Sequence, residues 1–177
     1  MANRTARGFS LIELLMVVAI IGLIAAIAIP GLLRARIAGN EASGIGSLSA
    51  INSGEAAYAS SCAAGGYATT LDDLFKSPTG GEGFISPDLA VNGTEKSGYR
   101  ILVAAGMDST IVTTRDQTCN ASAGHAMSSY FAKGDPVTPG RTGTRYLGTN
   151  TRGTIFEDTA ATLTEPLVTA GTVKPIQ

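Results

Sequence analysis

From Leu14 to Ile29 the chain has no polar side chain, and a single carboxylate, Glu13, stands immediately before that run. Counted from Phe9, the segment is 21 residues long and only Ser10 and Glu13 interrupt it. A helix needs ~20 apolar residues, at a rise of 1.5 Å each, to cross a bilayer. The run therefore suits a membrane span, or a helix buried in an assembly. A charge at the edge of such a segment is costly, which marks Glu13 as a functional position. Upstream is a short basic leader with Arg4 and Arg7, ending in Gly8; Pro30 closes the run.

Two plainer readings compete. A cleaved secretory signal has an apolar region of ~7–15 residues and a small-x-small cut site, which Ala26-Ile27-Ala28 would supply. Against it, Glu13 sits at the start of the apolar region and the helical pattern runs on past that cut. A plain signal anchor is the second. Arg4 and Arg7 on one side are matched by Arg34 and Arg36 on the other, so loop charge does not set the orientation.

Helical spacing continues beyond Pro30. Ile37, Ile45, Leu48, Ile51 and Tyr58 are assigned to one face, and Arg34, Arg36, Asn40, Glu41, Asn52 and Glu55 off it. Gly39, Gly44, Gly46 and Gly54 weaken the helix by roughly 1 kcal/mol each against Ala, while small residues also let elements approach closely. Pro30 lacks the backbone donor and crowds the preceding turn, which predicts a bend. A helix from Phe9 to about Tyr58 would be ~75 Å long, and its first half has no partner within this chain.

The rest alternates turns and short apolar stretches. Residues 60–96 form a Gly/Ser/Thr/Pro-rich connection with a helical candidate at Leu71–Phe75 after Thr69-Thr70. Strands are predicted at Tyr99–Ala104, Thr110–Thr114 and Ser128–Ala132, with Thr144–Leu147 and Thr154–Phe156 pairing as a hairpin. Asp135-Pro136 through Gly143 reads as a loop. The order of the low-charge tail, Leu163 to Gln177, is left open. The expected architecture is α+β: a long N-terminal helix packed on an antiparallel sheet of about four strands. Its parts would be a leader at 1–8, an apolar helix at 9–30, an amphipathic continuation at 31–59 and a globular head at 60–177.

These residues resemble the type IV pilin and pseudopilin family, and the short leader is similar to that of the type IVa class. The Gly8-Phe9 junction, Glu13 and Pro30 stand where that family has its leader cleavage site, its glutamate and its helix-bending proline. The resemblance is strong over residues 1–35 and weak beyond. It implies that a prepilin peptidase cuts after Gly8 and methylates the new amine of Phe9. It implies that Glu13 meets the N-terminal amine of a neighbouring subunit, setting axial register, where a bilayer-edge glutamate with no fixed partner is the plainer alternative. The implied partners are copies of the chain itself in a helical homopolymer, the prepilin peptidase, and an inner-membrane assembly platform with its ATPase. The implied location is the inner membrane, as a single span with the N-terminus inside, before assembly, and a cell-surface filament after it. The functions in view are an adhesion or twitching-motility pilin, a type II secretion pseudopilin, and, from a different class, a membrane-anchored binding or enzyme domain.

Cys62 and Cys119 form an even pair, which in an exported chain reads as one disulfide; two separate thiols are the alternative. Such a bond would tie the helix end to the middle of the sheet and leave 58 residues after Cys119. The late disulfide-bounded loop of many type IVa pilins therefore does not carry over.

The remaining chemistry is sparse. Charged residues are 15% of the chain, and the 13 basic residues less the two leader arginines leave 11 against 14 acidic ones, a net charge of −3. Nothing there suggests nucleic acid. His125 is the sole histidine and reads as a surface residue. No Ser/His/Asp pattern, phosphate loop or zinc spacing appears, so neither catalysis nor a cofactor or metal is expected. Asp72-Asp73 and Asp116 read as a helix surface and a turn. Related pseudopilins bind calcium late in the chain, but Glu157-Asp158 reads here as a solvated strand end. Asn92-Gly93-Thr94 and Asn120-Ala121-Ser122 match the N-glycosylation triplet. Only Phe9 and Tyr58 among the aromatics fall in the long helix, which gives no support to electron conduction along it.

Overall fold

The computed structural model describes residues 8–176; leader residues 1–7, with Arg4 and Arg7, lie outside the described residues. The chain divides into two compact units, one ending at Arg36 and the other beginning at Ile37. Helix α1 spans Leu11–Ser61 and includes Pro30. Pro30 has no N–H to give, so the Ala26 carbonyl goes without its helical donor.

In the second unit, α1 lies against an antiparallel sheet. The sheet has six strands in the order β1 (Glu95–Lys96), β2 (Tyr99–Ala105), β5 (Tyr130–Pro136), β6 (Tyr146–Asn150), β7 (Phe156–Asp158) and β8 (Lys174–Pro175). Period-two alternation turns Tyr99, Ile101 and Val103 of β2, and Tyr130 and Ala132 of β5, towards the core. Leu48, Ile51 and Tyr58 of α1 complete that core with Leu147. Gly44 lets the helix come close: a Cβ there would lie 2.9 Å from the Leu147 Cδ1 and 3.3 Å from the Tyr99 ring. Gly54 does the same for the loop backbone at Phe84, whose carbonyl would be 2.8 Å away.

Helix α2 (Leu71–Phe75) starts where its sequence indicates, with the Thr70 hydroxyl accepting the Asp73 amide as an N-cap. Other expectations are corrected. The sheet has six strands rather than about four, because the two-residue strands β1 and β8 line its edges. Pro175 is tolerated in β8 because an edge strand has one unpaired side. The segment assigned to a loop from Asp135 begins instead as strand, since Asp135 pairs with Arg100 and Pro136 with Tyr99. The stretch around Thr110–Thr114 contributes β3 (Ile111–Thr113), which leaves the main sheet to pair with β4 (Ala126–Met127). The late hairpin forms further along than expected, with Leu147 opposite Glu157.

Within the described residues the tail is built into the head. Leu163 and Leu167 are buried with Phe156, against Phe131 and Val173, as a second small core. Gly148 makes room for Leu163, whose side chain would lie 3.1 Å from a Cβ at that position. The tail then returns as β8, pairing Lys174 with Glu157.

Candidate assembly site

Gly8, Phe9 and Ser10 precede the helix and are exposed. The Ser10 carbonyl accepts the Leu14 amide at 3.2 Å, the first helical hydrogen bond, which makes Ser10 the N-cap residue. Its own amide donates to the Glu13 Oε2 at 2.9 Å. A Ser with a Glu three residues later is the capping-box pattern, here with its backbone-to-carboxylate half formed. From Phe9 to Leu33 the large apolar side chains stand open, Phe9 at 75% and Ile27 at 74% exposure, and none of the most apolar 18-residue window is buried. Such a surface is not stable in water and has to be covered by lipid or by protein.

In the second unit, the end of α1 is tied by a Cys62–Cys119 disulfide with the Cα atoms 4.7 Å apart. The Cys119 amide also donates to the Cys62 carbonyl at 3.1 Å. The expected attachment point is corrected: Cys119 lies in the segment between β3 and β4, not in the middle of the main sheet.

Two acids assigned to the polar side of α1 are buried instead. Glu41 accepts the Thr144 amide at 2.8 Å, its hydroxyl at 2.7 Å and the Arg145 Nε at 2.8 Å. Burial alone would raise its pKa, but these donors outweigh burial and hold it below the ordinary carboxylate value. Arg145 also donates to Glu157 at 2.5 Å, and Lys174 lies 3.3 Å from the other Glu157 oxygen. One arginine thereby links the helix, the strand β7 and, through Lys174, the tail. Glu157 and Asp158 are buried, so the solvated strand end expected there is corrected.

Glu55 is the second acid, with no exposed surface. Its Oε2 accepts the Ala68 amide at 2.9 Å, while among the described residues its Oε1 has no hydrogen-bond partner. Burial pushes its pKa up to about 8, opposed by the Ala68 hydrogen bond and reinforced by the nearby Asp73 carboxylate. Asp73 is itself buried rather than on a helix surface, and its carboxylate accepts the amides of Ala123 and Gly124. Asp72 is exposed and accepts the Asn92 amide at 2.9 Å. Asp116 pairs loosely with Arg115 at 3.7 Å, and His125 is exposed, its Nδ1 accepting the Arg115 amide. Both glycosylation triplets are closed in the folded head. The Asn92 amide exchanges hydrogen bonds with the Val103 backbone, and the buried Asn120 amide donates to the carbonyls of Asp73 and Lys76.

A signal for the buried acids was present in the spacing. Glu41, Gly44, Leu48, Ile51, Glu55, Tyr58 and Cys62 alternate steps of three and four residues, one stripe of a helix. Assigning positions by polarity removed Glu41 and Glu55 from a stripe to which their spacing assigns them.

Residues 3–29 match the family model described as the prokaryotic N-terminal methylation motif. No curated protein and no solved structure matches the chain. The chain carries the leader signature of type IV pilins and pseudopilins. That signature implies a structural subunit rather than an enzyme, processing by a prepilin peptidase, and a membrane-anchored precursor that later assembles into a filament.

Proposed function

We propose that this protein is the structural subunit of a type IV pilus-like filament that serves adhesion or motility at the cell surface. In this reading the peptidase cuts between Gly8 and Phe9 and methylates the Phe9 amine. Residues 9–30 form the filament core after leaving the membrane, residues 31–59 continue the helix with a bend at Pro30, and residues 60–177 make the outward head. Glu13 pairs with the amine of a neighbouring subunit. The observation that carries this reading is the uncovered apolar surface of Phe9–Leu33, most of which lies within the residues 3–29 that match the methylation motif. Removing two arginines converts a bulky cationic N-terminus into a single amine, which apolar packing tolerates once a carboxylate neutralises it. The assembly platform and its ATPase supply the work of extraction from lipid.

The test is intact mass and N-terminal sequencing of the protein from sheared surface filaments and from membranes. A chain beginning at Phe9 with one added methyl, recovered in the sheared fraction, supports the reading. The same processed chain confined to the membrane points to a secretion pseudopilin. An N-terminus at Met1 or near Ile29 overturns the filament reading altogether.

A further inference from the structure

The Glu13 carboxylate is held by its own chain before any neighbour arrives. Its Oε2 accepts the Ser10 amide at 2.9 Å, and among the described residues it makes no other hydrogen bond. The donor is the backbone, so the requirement at position 10 is an N–H and not a hydroxyl. The Ser10 carbonyl anchors the first helical turn through Leu14, while the Ser10 N–H, in the preceding peptide plane, is held by its bond to Glu13.

We infer that Ser10 is a positioning residue for assembly: its amide fixes the Glu13 carboxylate through Oε2 and leaves Oε1 for the incoming amine of a second copy of the chain. The inference rests on the pairing role given to Glu13 above. A free glutamate side chain must be ordered as the subunits join, whereas a capped one is ordered beforehand. Carboxylate and amide can hold this arrangement in lipid as well as in the filament, since the hydrogen bond satisfies a helix-end donor that hydrocarbon would leave unpaired. Ser10 does not touch the partner in this scheme; it acts through Glu13.

Two measurements test it. In the full-length precursor in detergent micelles, hydrogen exchange at the Ser10 amide reads the cap directly. Glu13→Ala speeds that exchange about fivefold, the loss of one typical cap, whereas Glu13→Gln leaves it slow because a carboxamide oxygen still accepts. In cells with the assembly machinery, Ser10→Ala gives filaments at the wild-type level. Ser10→Pro, which removes the donor and also fixes φ at residue 10 and restrains Phe9 before it, lowers sheared filament yield about five- to tenfold per chain processed to Phe9, the processing being checked by mass. Glu13→Gln also loses filaments, since it keeps the cap but not the charge. Unchanged Ser10 exchange in Glu13→Ala overturns the inference, and so do wild-type filaments from Ser10→Pro or lost filaments from Ser10→Ala. An unprocessed wild-type chain would instead sink the filament reading, and the exchange result would still decide the cap.

Discussion

Replacing Glu55 by Gln should remove most of the pH dependence of folding between pH 5 and 9. In the folded head the Glu55 pKa is raised to about 8, against 4.5 for the ordinary group. Below pH 4.5 both folded and unfolded chains keep the proton, and the group contributes nothing to the balance. Between 4.5 and 8 the unfolded chain releases the proton while the folded one retains it, so stability falls as pH rises. Above 8 both have released it, and the cost is complete. At ~1.36 kcal/mol for each pH unit of separation, the cost is about 3 kcal/mol at pH 7 and about 5 kcal/mol above pH 8. Gln has the same outline and no charge; its carbonyl can keep the Ala68 amide, and its unpaired NH2 costs about 1–3 kcal/mol at every pH. The groups facing Glu55 do not confuse the window. Tyr58 and Tyr130 are pushed above their ordinary values by burial and titrate at alkaline pH. The Asp73 carboxylate is present in both proteins. The assay is denaturant unfolding of the full chain in micelles, disulfide intact, followed by tyrosine fluorescence at half-unit pH steps. Wild type should lose several kcal/mol from pH 5 to pH 9, while Glu55→Gln stays nearly level and becomes the more stable of the two at the alkaline end. Parallel profiles would refute the argument that this carboxyl is held neutral by burial.

Other perturbations have definite outcomes. Arg145→Met leaves Glu41 and Glu157 without their shared cation and should cost about 3 kcal/mol at pH 7; the loss should shrink as pH falls below the ordinary carboxylate value towards the lowered value of Glu41, which unfolding titrations would show. Cys62→Ser with Cys119→Ser opens a closure spanning 57 residues and should lower stability by ~4 kcal/mol, measured against the oxidised parent. Leu167→Ala should cost about 2–4 kcal/mol and raise hydrogen exchange in the tail and β7 before the rest of the sheet; uniform exchange would show that the tail is not a separate small core. Gly8→Arg places a bulky charged side chain at the proposed scissile junction and should leave full-length precursor in the membrane; a chain starting at Phe9 from that variant would remove the proposed cleavage site.

The N-terminal segment of this protein was legible because one interaction dominates it. An apolar run of membrane length next to Glu13 has few solutions, and the Gly8-Phe9 junction gives that run its place in a known leader pattern. The Ser10–Glu13 cap spans only three residues, but the sequence assigned Glu13 to register or to the bilayer edge, and the cap came with the structure. The head was harder. Tyr99, Ile101 and Val103 announced β2 by alternation, and Thr70 announced α2. The two-residue strands β1 and β8 carry no periodicity, and Lys174-Pro175 would read as a strand only once Glu157 lies opposite.

What the sequence determined by itself is therefore whatever depends on near neighbours: the helix and its stripe, the Thr70 cap, the most regular strands, and the uncovered apolar segment. What only the tertiary structure decided is the state of the charges. Glu41 and Glu55 occupy equivalent steps of one helical stripe, yet one meets Arg145 from about a hundred residues away and stays ionised, and the other meets the Ala68 amide near Asp73 and is driven towards the neutral acid. The energy of a buried carboxyl is set by the partners that folding delivers, and these come from parts of the chain that local spacing does not reach.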